Sequence, residues 1–459
     1  MSEKTVLIDA PSAADDARYP RPRAELPRLL AGIPAHGAMS LDEHLAVHGE
    51  LPAQRRRRRR EEPALLGALE DAGLRGHGGA GFPTARKLRA AASSRGKPVV
   101  VVNGAEGEPA SIKDRTLLQT LPHLVLDGAQ LAAGALGAGE LIVCACESAP
   151  ASLDRVAEAI GERRGLAGDV GRVQLSTAPS GYVTGQESAL VNHLNGGPGL
   201  PTFTPPMAFE QGVRRRPTLV SNVETFAHIA LIARHGAGWF RQLGTASQPG
   251  SALVTLSGPV RHAGVYEIEY GASLASLIEA AGGTTATPRA ALLGGYGGSW
   301  IAGELLRGVG LSDEHLAPLQ ASFGAGVVAL LSQDACPVAE TTRVARWLAL
   351  QSARQCGPCV HGLDAIARSF EELAAGMTQG NPMARIARLA ELVRRRGACA
   401  HPDGTARFVA SALEAFPTEI AEHAHRGPCA GCRRPGELPL PPHAPERAGA
   451  SAPTRTARR

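Results

Sequence analysis

The cysteines between residues 336 and 432 are spaced for metal or redox work. QSARQCGPCVHG holds Cys356-x-x-Cys359, RRGACAHPDG holds Cys399, and HRGPCAGCRR holds Cys429-x-x-Cys432. A thiolate pair with two residues between its members can grip one ion or one cluster edge, or act as a redox dithiol. An iron–sulfur cluster, a structural zinc and a redox dithiol all satisfy that spacing. Cys336, in SQDACPVAE, is a spare candidate ligand, whereas Cys144 and Cys146 alternate inside the apolar stretch ELIVCACE and read as core.

A second set of residues points to an anion. RGHGGAGFPTARK places Gly76, Gly78, Gly79 and Gly81 ahead of Phe82, Pro83 and Lys87. Bare backbone lets N–H groups crowd a phosphate, and a helix starting near Pro83 adds its positive end. The spacing is not that of the dinucleotide fingerprint, because the segment before it reads as helix. VVVVNGAEGEPASIKDR ends a buried strand at Asn103 and then gathers Glu106, Glu108, Lys113, Asp114 and Arg115 beyond its carboxyl end, where α/β sheets bind ligands. GYVTGQESAL (Gly185, Gln186, Glu187) and PTLVSNVET (Asn222, Glu224) each enter a further helix. Lysine is scarce: Lys4, Lys87, Lys97 and Lys113 stand against 48 Lys plus Arg, and two of the four fall in these motifs. A compact ammonium is wanted there rather than a guanidinium fork.

The elements that must hold these residues follow from periodicity. Residues 1–62 read as an extension with one short helix (LDEHLAVHGELP) and the run Arg55 to Arg60, expected to be a solvated linker. Residues 63–245 alternate helix-like and strand-like segments, which predicts a parallel α/β sheet. Residues 246–325 read strand, strand, helix, strand, a small α+β unit. Residues 326–435 become helical with apolar i, i+3, i+4 spacing, predicting a four-helix bundle. Residues 436–459, rich in Pro, Ala and Arg, predict disorder. With 44% apolar but only 4% aromatic residues, the cores must be built of Ala, Leu and Val. The net charge of +5 is modest, and no aromatics interleave with the arginine run, so no nucleic-acid partner is expected. No apolar run approaches the ~18 residues of a span and no apolar leader opens the chain. The expected place is the cytoplasm, without membrane insertion, at most peripheral to a membrane complex.

Taken together, the four blocks RGHGGAGFPTARK, NGAEGEPASIKDR, GYVTGQESAL and PTLVSNVET resemble, in order, the NADH-binding flavoprotein subunit of respiratory complex I and its relatives in soluble hydrogenases and formate dehydrogenases. The resemblance runs from about residue 63 to 430. It implies an FMN-binding parallel α/β domain, a small ubiquitin-like β-grasp (SLBB) domain and a helical domain holding a 4Fe–4S cluster. It implies hydride transfer from NADH to FMN and single-electron exit through the cluster to other electron-transfer subunits, a quinone-linked acceptor or a ferredoxin. Gly76, Gly78, Gly79, Gly81, Lys87, Asn103, Glu106 and Asn222 carry over to FMN. Phe82, Glu108, Gly185 and Glu187 carry over to NADH. The family's pattern differs at Ala105, Gln186, Ser221 and Thr204-Pro205-Pro206-Met207, and several of these positions lie on the donor side, which implies weaker NADH binding. A ferredoxin-linked flavoprotein without NADH use, or a scaffold with a decayed flavin site, is the alternative. The family's cluster motif is C-x-x-C-x-x-C with a distant fourth cysteine. Here Cys356, Cys359 and Cys399 match, Ala353 replaces the first cysteine, and Cys429 is the expected fourth ligand, with Cys432, Cys336 or His401 behind it.

Overall fold

The computed structural model describes residues 25–52, 63–166 and 172–441. The Arg55–Arg60 run lies outside them. Four parallel strands form the first sheet in the order β3-β2-β1-β4: β1 is Val99–Gly104, β2 Leu141–Cys146, β3 Val173–Ala178 and β4 Thr218–Asn222. The valine run of β1 suits a strand covered on both faces. Val100 and Val102 join the core beneath the Pro122–Leu136 and Val223–Phe240 helices, while Val99 and Val101 pack with Ile142, Cys144, Leu190 and Val191 on the other side. Cys144 and Cys146 are buried in β2 as expected.

The second sheet has five strands in the order β6-β5-β9-β7-β8: β5 Ser251–Ser257, β6 Gly264–Glu269, β7 Pro288–Leu293, β8 Ser299–Ala302 and β9 Val327–Ser332. β9 is central, parallel to β5 and antiparallel to β7. It lies past the boundary expected at 325, because VVALLS is too short an apolar run to declare its partner sheet by periodicity alone. Ala252, Val254 and Leu256 face the Leu274–Ala280 helix, and Leu292, Ala329 and Leu331 face the helical domain. The small domain is thus clamped between its own helix and the bundle.

Five helices, not four, make up the carboxyl-terminal domain: Pro337–Leu350, Leu363–Ala374, Pro382–Val393, His401–Ala415 and Pro417–Arg426. Apolar spacing alone reads the last two as one segment. Pro417 separates them, since it lacks a donor N–H and its ring crowds the preceding turn. The chain beyond is ordered further than expected: Leu438 is buried, and the backbone N–H groups of Glu437 and Leu438 each donate to Glu340 at 3.1 Å. The amino-terminal extension is also anchored. Its Leu41–His48 helix starts on a Ser40/Glu43 capping box, and His44 pairs with buried Asp127 at 2.7 Å. No described helix is long and apolar enough to cross a membrane.

Candidate flavin and metal sites

The carboxyl ends of β1 and β4 bring two asparagines side by side: Asn103 is the register partner of Asn222. Asn103 donates its amide to the Gly185 carbonyl at 2.8 Å and accepts from the Ala105 N–H at 3.2 Å. Asn222 caps the Val223–Phe240 helix by accepting from the Glu224 N–H at 3.0 Å. It also accepts from the Lys113 ammonium at 3.3 Å. The 105–107 and 181–185 loops approach backbone to backbone: a Cβ on Gly185 would stand 2.5 Å from the Ala105 carbonyl oxygen. Gly185 is therefore fixed by this close approach.

The glycine loop runs from Gly76 to Phe82 and closes on itself, the Gly76 N–H donating to the Phe82 carbonyl at 2.9 Å. Gly79 (φ +92°) and Gly81 (φ +59°) take left-handed backbone that side chains disfavour. Gly78 lies over Asn222, its missing Cβ 3.5 Å from the asparagine Cβ. Beside the loop is a cavity of about 390 Å³ lined by Gly76, Gly79, Gly81, Lys113, Glu224 and Phe323, among others. Lys113 is buried between Asp114 at 2.7 Å and Glu224 at 2.9 Å. Burial alone would lower its pKa, but the two carboxylates outweigh that and keep the ammonium charged. The motif reading leaves Lys113 without a role in the site; its rarity as a lysine is the signal that points to it.

A second group adjoins the first. Lys87, one turn into the Thr84–Ser93 helix, meets Glu187 at 2.6 Å. Glu187 begins the Glu187–Leu194 helix, which Gln186 caps by accepting from the Ala189 N–H. The other Glu187 oxygen, Oε1, is buried without a hydrogen-bond partner, as is Thr84 Oγ1. Phe82 is 48% exposed, and Phe203 and Met207 also expose large apolar surfaces.

Glu106 and Glu108 are drawn into the framework instead of the cavity lining. Glu106 accepts from Ser111 Oγ (2.7 Å) and from the Asp114 and Arg115 N–H groups, so it caps the Lys113–Thr120 helix from a preceding loop. Glu108 accepts from the Tyr296 N–H at 2.8 Å and the Ala110 N–H at 3.2 Å, tying the α/β domain to the β7–β8 turn. Burial pushes its pKa up to about 7. Tyr182, which no motif singles out, crosses to the helical domain: its N–H donates to Gln351 at 3.2 Å, and its ring packs edge-on against Trp347 and His401, each 5.3 Å away.

The eight cysteines divide into three groups. Cys144 and Cys146 belong to β2. Cys356, Cys359 and Cys399 come together where the Pro358–Gly362 turn meets the loop before His401: Cys356 neighbours Cys359, and both feel Cys399. Their sulfurs are not all within 4.8 Å of one another. Thiolates spread in this way suit a multi-iron cluster, whose irons stand apart, better than one ion. Cys429 does not join them. It stands 3.8 Å from Cys432, which is 3.4 Å from Cys336, with His423 completing the group. The expected fourth ligand is therefore corrected, as are Cys432 and Cys336: the short Pro417–Arg426 helix returns the tail to the start of the first bundle helix instead. His401 remains near the three thiolates, with Nε2 on the Leu348 carbonyl at 2.9 Å and Nδ1 buried without a partner.

These residues fit the cofactors. Left-handed glycines, two ammonium groups, the starts of two helices and an orphaned carboxylate oxygen suit a phosphate-bearing, polar-edged ring system. Three converging thiolates suit iron.

Comparison with known proteins agrees with this geometry. The Nuo51 FMN-binding domain model matches residues 69–231, the SLBB domain model 253–298, and the NADH-ubiquinone oxidoreductase-F iron–sulfur binding region 339–423. The NADH-quinone oxidoreductase F 2 subunit of Rhizobium meliloti (strain 1021) is 31% identical over 379 residues, covering 80% of this chain and 90% of the relative. The corresponding F subunit of Streptomyces coelicolor is 30% identical over 372 residues, covering 78% and 82%. The HndC subunit of an NADP-reducing hydrogenase in Solidesulfovibrio fructosivorans is 28% identical, covering 80% and 77%. Among solved structures, an NAD+-reducing [NiFe]-hydrogenase in the air-oxidized state matches with a TM-score of 0.71 at 33% identity, over 79% of this chain. This chain spans only 63% of that hydrogenase chain's length. The chain belongs to the family of NADH-quinone oxidoreductase F subunits, electron-transfer proteins that bear FMN and an iron–sulfur cluster.

Proposed function

We propose that this chain oxidises NADH as one subunit of a larger electron-transfer assembly. The observation that carries the reading is the pairing of Asn103 with Asn222 at the strand ends, directly beneath the glycine loop. FMN, when bound, accepts a hydride and releases electrons singly, and the cluster accepts them one at a time. The protein's part is placement. Gly76, Gly78, Gly79 and Gly81 would admit the flavin to bare backbone, Lys113 and Lys87, each already paired with carboxylates, would offer ammonium donors, and Asn103 and Asn222 would present amide groups to its edge. Glu187 Oε1, without a partner in the protein, would accept a hydrogen bond from the donor, and exposed Phe82 would give the nicotinamide a face to stack on. Cys356, Cys359 and Cys399 would hold the cluster, and Tyr182 packs the α/β domain against the bundle at Trp347 and His401. Gln186, Thr204 and Met207 weaken the donor side. Partners are other electron-transfer subunits, with a quinone-linked or ferredoxin-type acceptor.

Anaerobic purification followed by an absorbance spectrum before and after NADH tests this. The expected result is flavin and cluster absorption, bleached by NADH at concentrations well above those that saturate a tight site. A colourless protein overturns the reading. A flavin that dithionite bleaches and NADH does not assigns the chain to another donor.

A further inference from the structure

We propose that Cys336, His423, Cys429 and Cys432 form a second metal site, holding one tetrahedral zinc ion that fastens the carboxyl-terminal strap to the body of the protein. The site is distinct from the thiolates of the cluster and does not depend on the flavin reading.

The distances are those of a single ion's ligand shell. Zinc–sulfur bonds of about 2.3 Å and tetrahedral angles put neighbouring sulfurs about 3.8 Å apart, and a sulfur and an imidazole nitrogen about 3.6 Å apart. Here Cys429 Sγ and Cys432 Sγ are 3.8 Å apart, and Cys432 and Cys336 3.4 Å. His423 Nε2 is 3.2 Å from Cys432 Sγ and 3.4 Å from Cys336 Sγ. All four ligand atoms lie within 4.8 Å of one another. These sulfurs are too far apart for disulfides, whose bond is about 2.05 Å. They are also closer than the separate irons of a cluster would hold them. Three thiolates and one imidazole in a tetrahedron select zinc among common divalent ions.

The surroundings are prepared for an ion. His423 Nδ1 lies 2.8 Å from the Glu419 carbonyl, so Nδ1 carries the proton and Nε2 turns its lone pair to the sulfurs. This is the outer hydrogen bond that orients metal-binding histidines. The Ala339 N–H donates to Cys336 Sγ at 3.3 Å, from the amino-terminal turn of the Pro337–Leu350 helix. The Cys-Ala-Gly-Cys turn lies against the chain at 334–336 so closely that a Cβ on Gly431 would stand 3.0 Å from the Asp334 carbonyl oxygen and the Cys336 nitrogen. A side chain at 431 would press on the segment that carries Cys336.

The ion would join three distant parts of the chain: the start of the first bundle helix, the last helix and the tail. The strap it anchors then runs along the seam between the second sheet and the first bundle helix. Arg434 pairs with Asp334 at 3.1 Å, Glu437 accepts from the Ser332 N–H at 2.8 Å, and the Tyr296 hydroxyl donates to the Pro439 carbonyl. Tyr296 is the residue whose N–H holds Glu108.

Metal analysis of the full-length chain, purified anaerobically without added metal, should find one zinc per chain in addition to iron. Zinc-edge X-ray absorption on the wild type, which no folding defect can confuse, should give three sulfurs near 2.3 Å and one nitrogen near 2.0 Å. The double variant Cys429→Ser/Cys432→Ser should lose the zinc, keep iron and flavin, and release its carboxyl-terminal peptide to protease at least tenfold faster. Cys356→Ser should lose iron and keep zinc. Wild type without zinc, zinc with an oxygen-rich shell, or loss of iron from the Cys429/Cys432 variant would each overturn the proposal.

Discussion

Ala353 shows how one residue alters a metal site without altering its frame. It is buried beside the turn that carries Cys356 and Cys359, and it offers no ligand atom. A fully cysteine-ligated cluster needs four thiolates. With Cys336, Cys429 and Cys432 engaged elsewhere, the described chain supplies three. The Ala353→Cys variant restores the missing sulfur on a backbone already in place. Iron per chain should then rise to about four and hold through aerobic handling that strips the wild type. Equal iron content and equal loss in air for both proteins would show that position 353 does not face the open corner. The absence of this ligand is legible in the sequence. Which remote residue replaces it is not, because three cysteines and a histidine far apart in the chain satisfy the same spacing rules, and only the return of the last helix sorts them.

At the scale of elements, periodicity recovers the α/β sheet and the bundle because their patterns are long. VVVV and LIVCAC are buried on both faces and bounded by turns, and each bundle helix has a wide apolar stripe. It fails where tertiary contacts decide. β9 declares itself only through β5 and β7, and the extension and the tail are held by polar clamps and by isolated buried residues (Leu29, Met39, Leu438) that make no hydrophobic period. Asp127, on the Pro122–Leu136 helix, is the clearest of these clamps. His44 from the extension, Arg163 at 2.8 Å and Arg234 all converge on its carboxylate. Burial alone would raise its pKa, but these partners outweigh burial and hold it at about 2, below the usual 3.8. A depressed carboxylate stabilises the fold above its unfolded pKa, and that contribution is lost as pH falls through the folded value. Asp127 should therefore contribute about 2 kcal/mol above pH ~4, declining towards pH ~2. Asp127→Asn takes the shared carboxylate from two buried guanidinium groups and should cost about 3–5 kcal/mol at pH 7. Chemical denaturation of both proteins at pH 7 and pH 3 checks this; a difference that does not shrink at the lower pH counts against the clamp.

Across the whole molecule, the three units meet at Glu108. It leaves the α/β domain beyond β1, takes the N–H of Tyr296 in the SLBB domain, and lies beside Tyr182, which packs on Trp347 and His401 of the bundle. A buried carboxyl at a domain junction makes the junction sensitive to pH. Its pKa is raised by burial from 4.5 to about 7, so the folded protein holds this proton over a range where the unfolded chain has released it. Stability from this group is full below pH ~4.5 and falls as pH rises towards ~7, by about 3 kcal/mol in all. Glu108→Gln removes that titration but puts an NH2, which cannot accept, where the protonated carboxyl keeps a hydroxyl oxygen that can, so one of the two N–H groups loses its acceptor. The variant should be less stable than wild type by about 1 kcal/mol at pH 5. The gap should close or reverse by pH 8, where the wild type has lost its proton. Denaturant midpoints of both proteins at pH 5, 6.5 and 8 give the comparison directly. Parallel pH profiles would mean that Glu108 is ionised throughout and that the junction is held by its charge instead of by its proton.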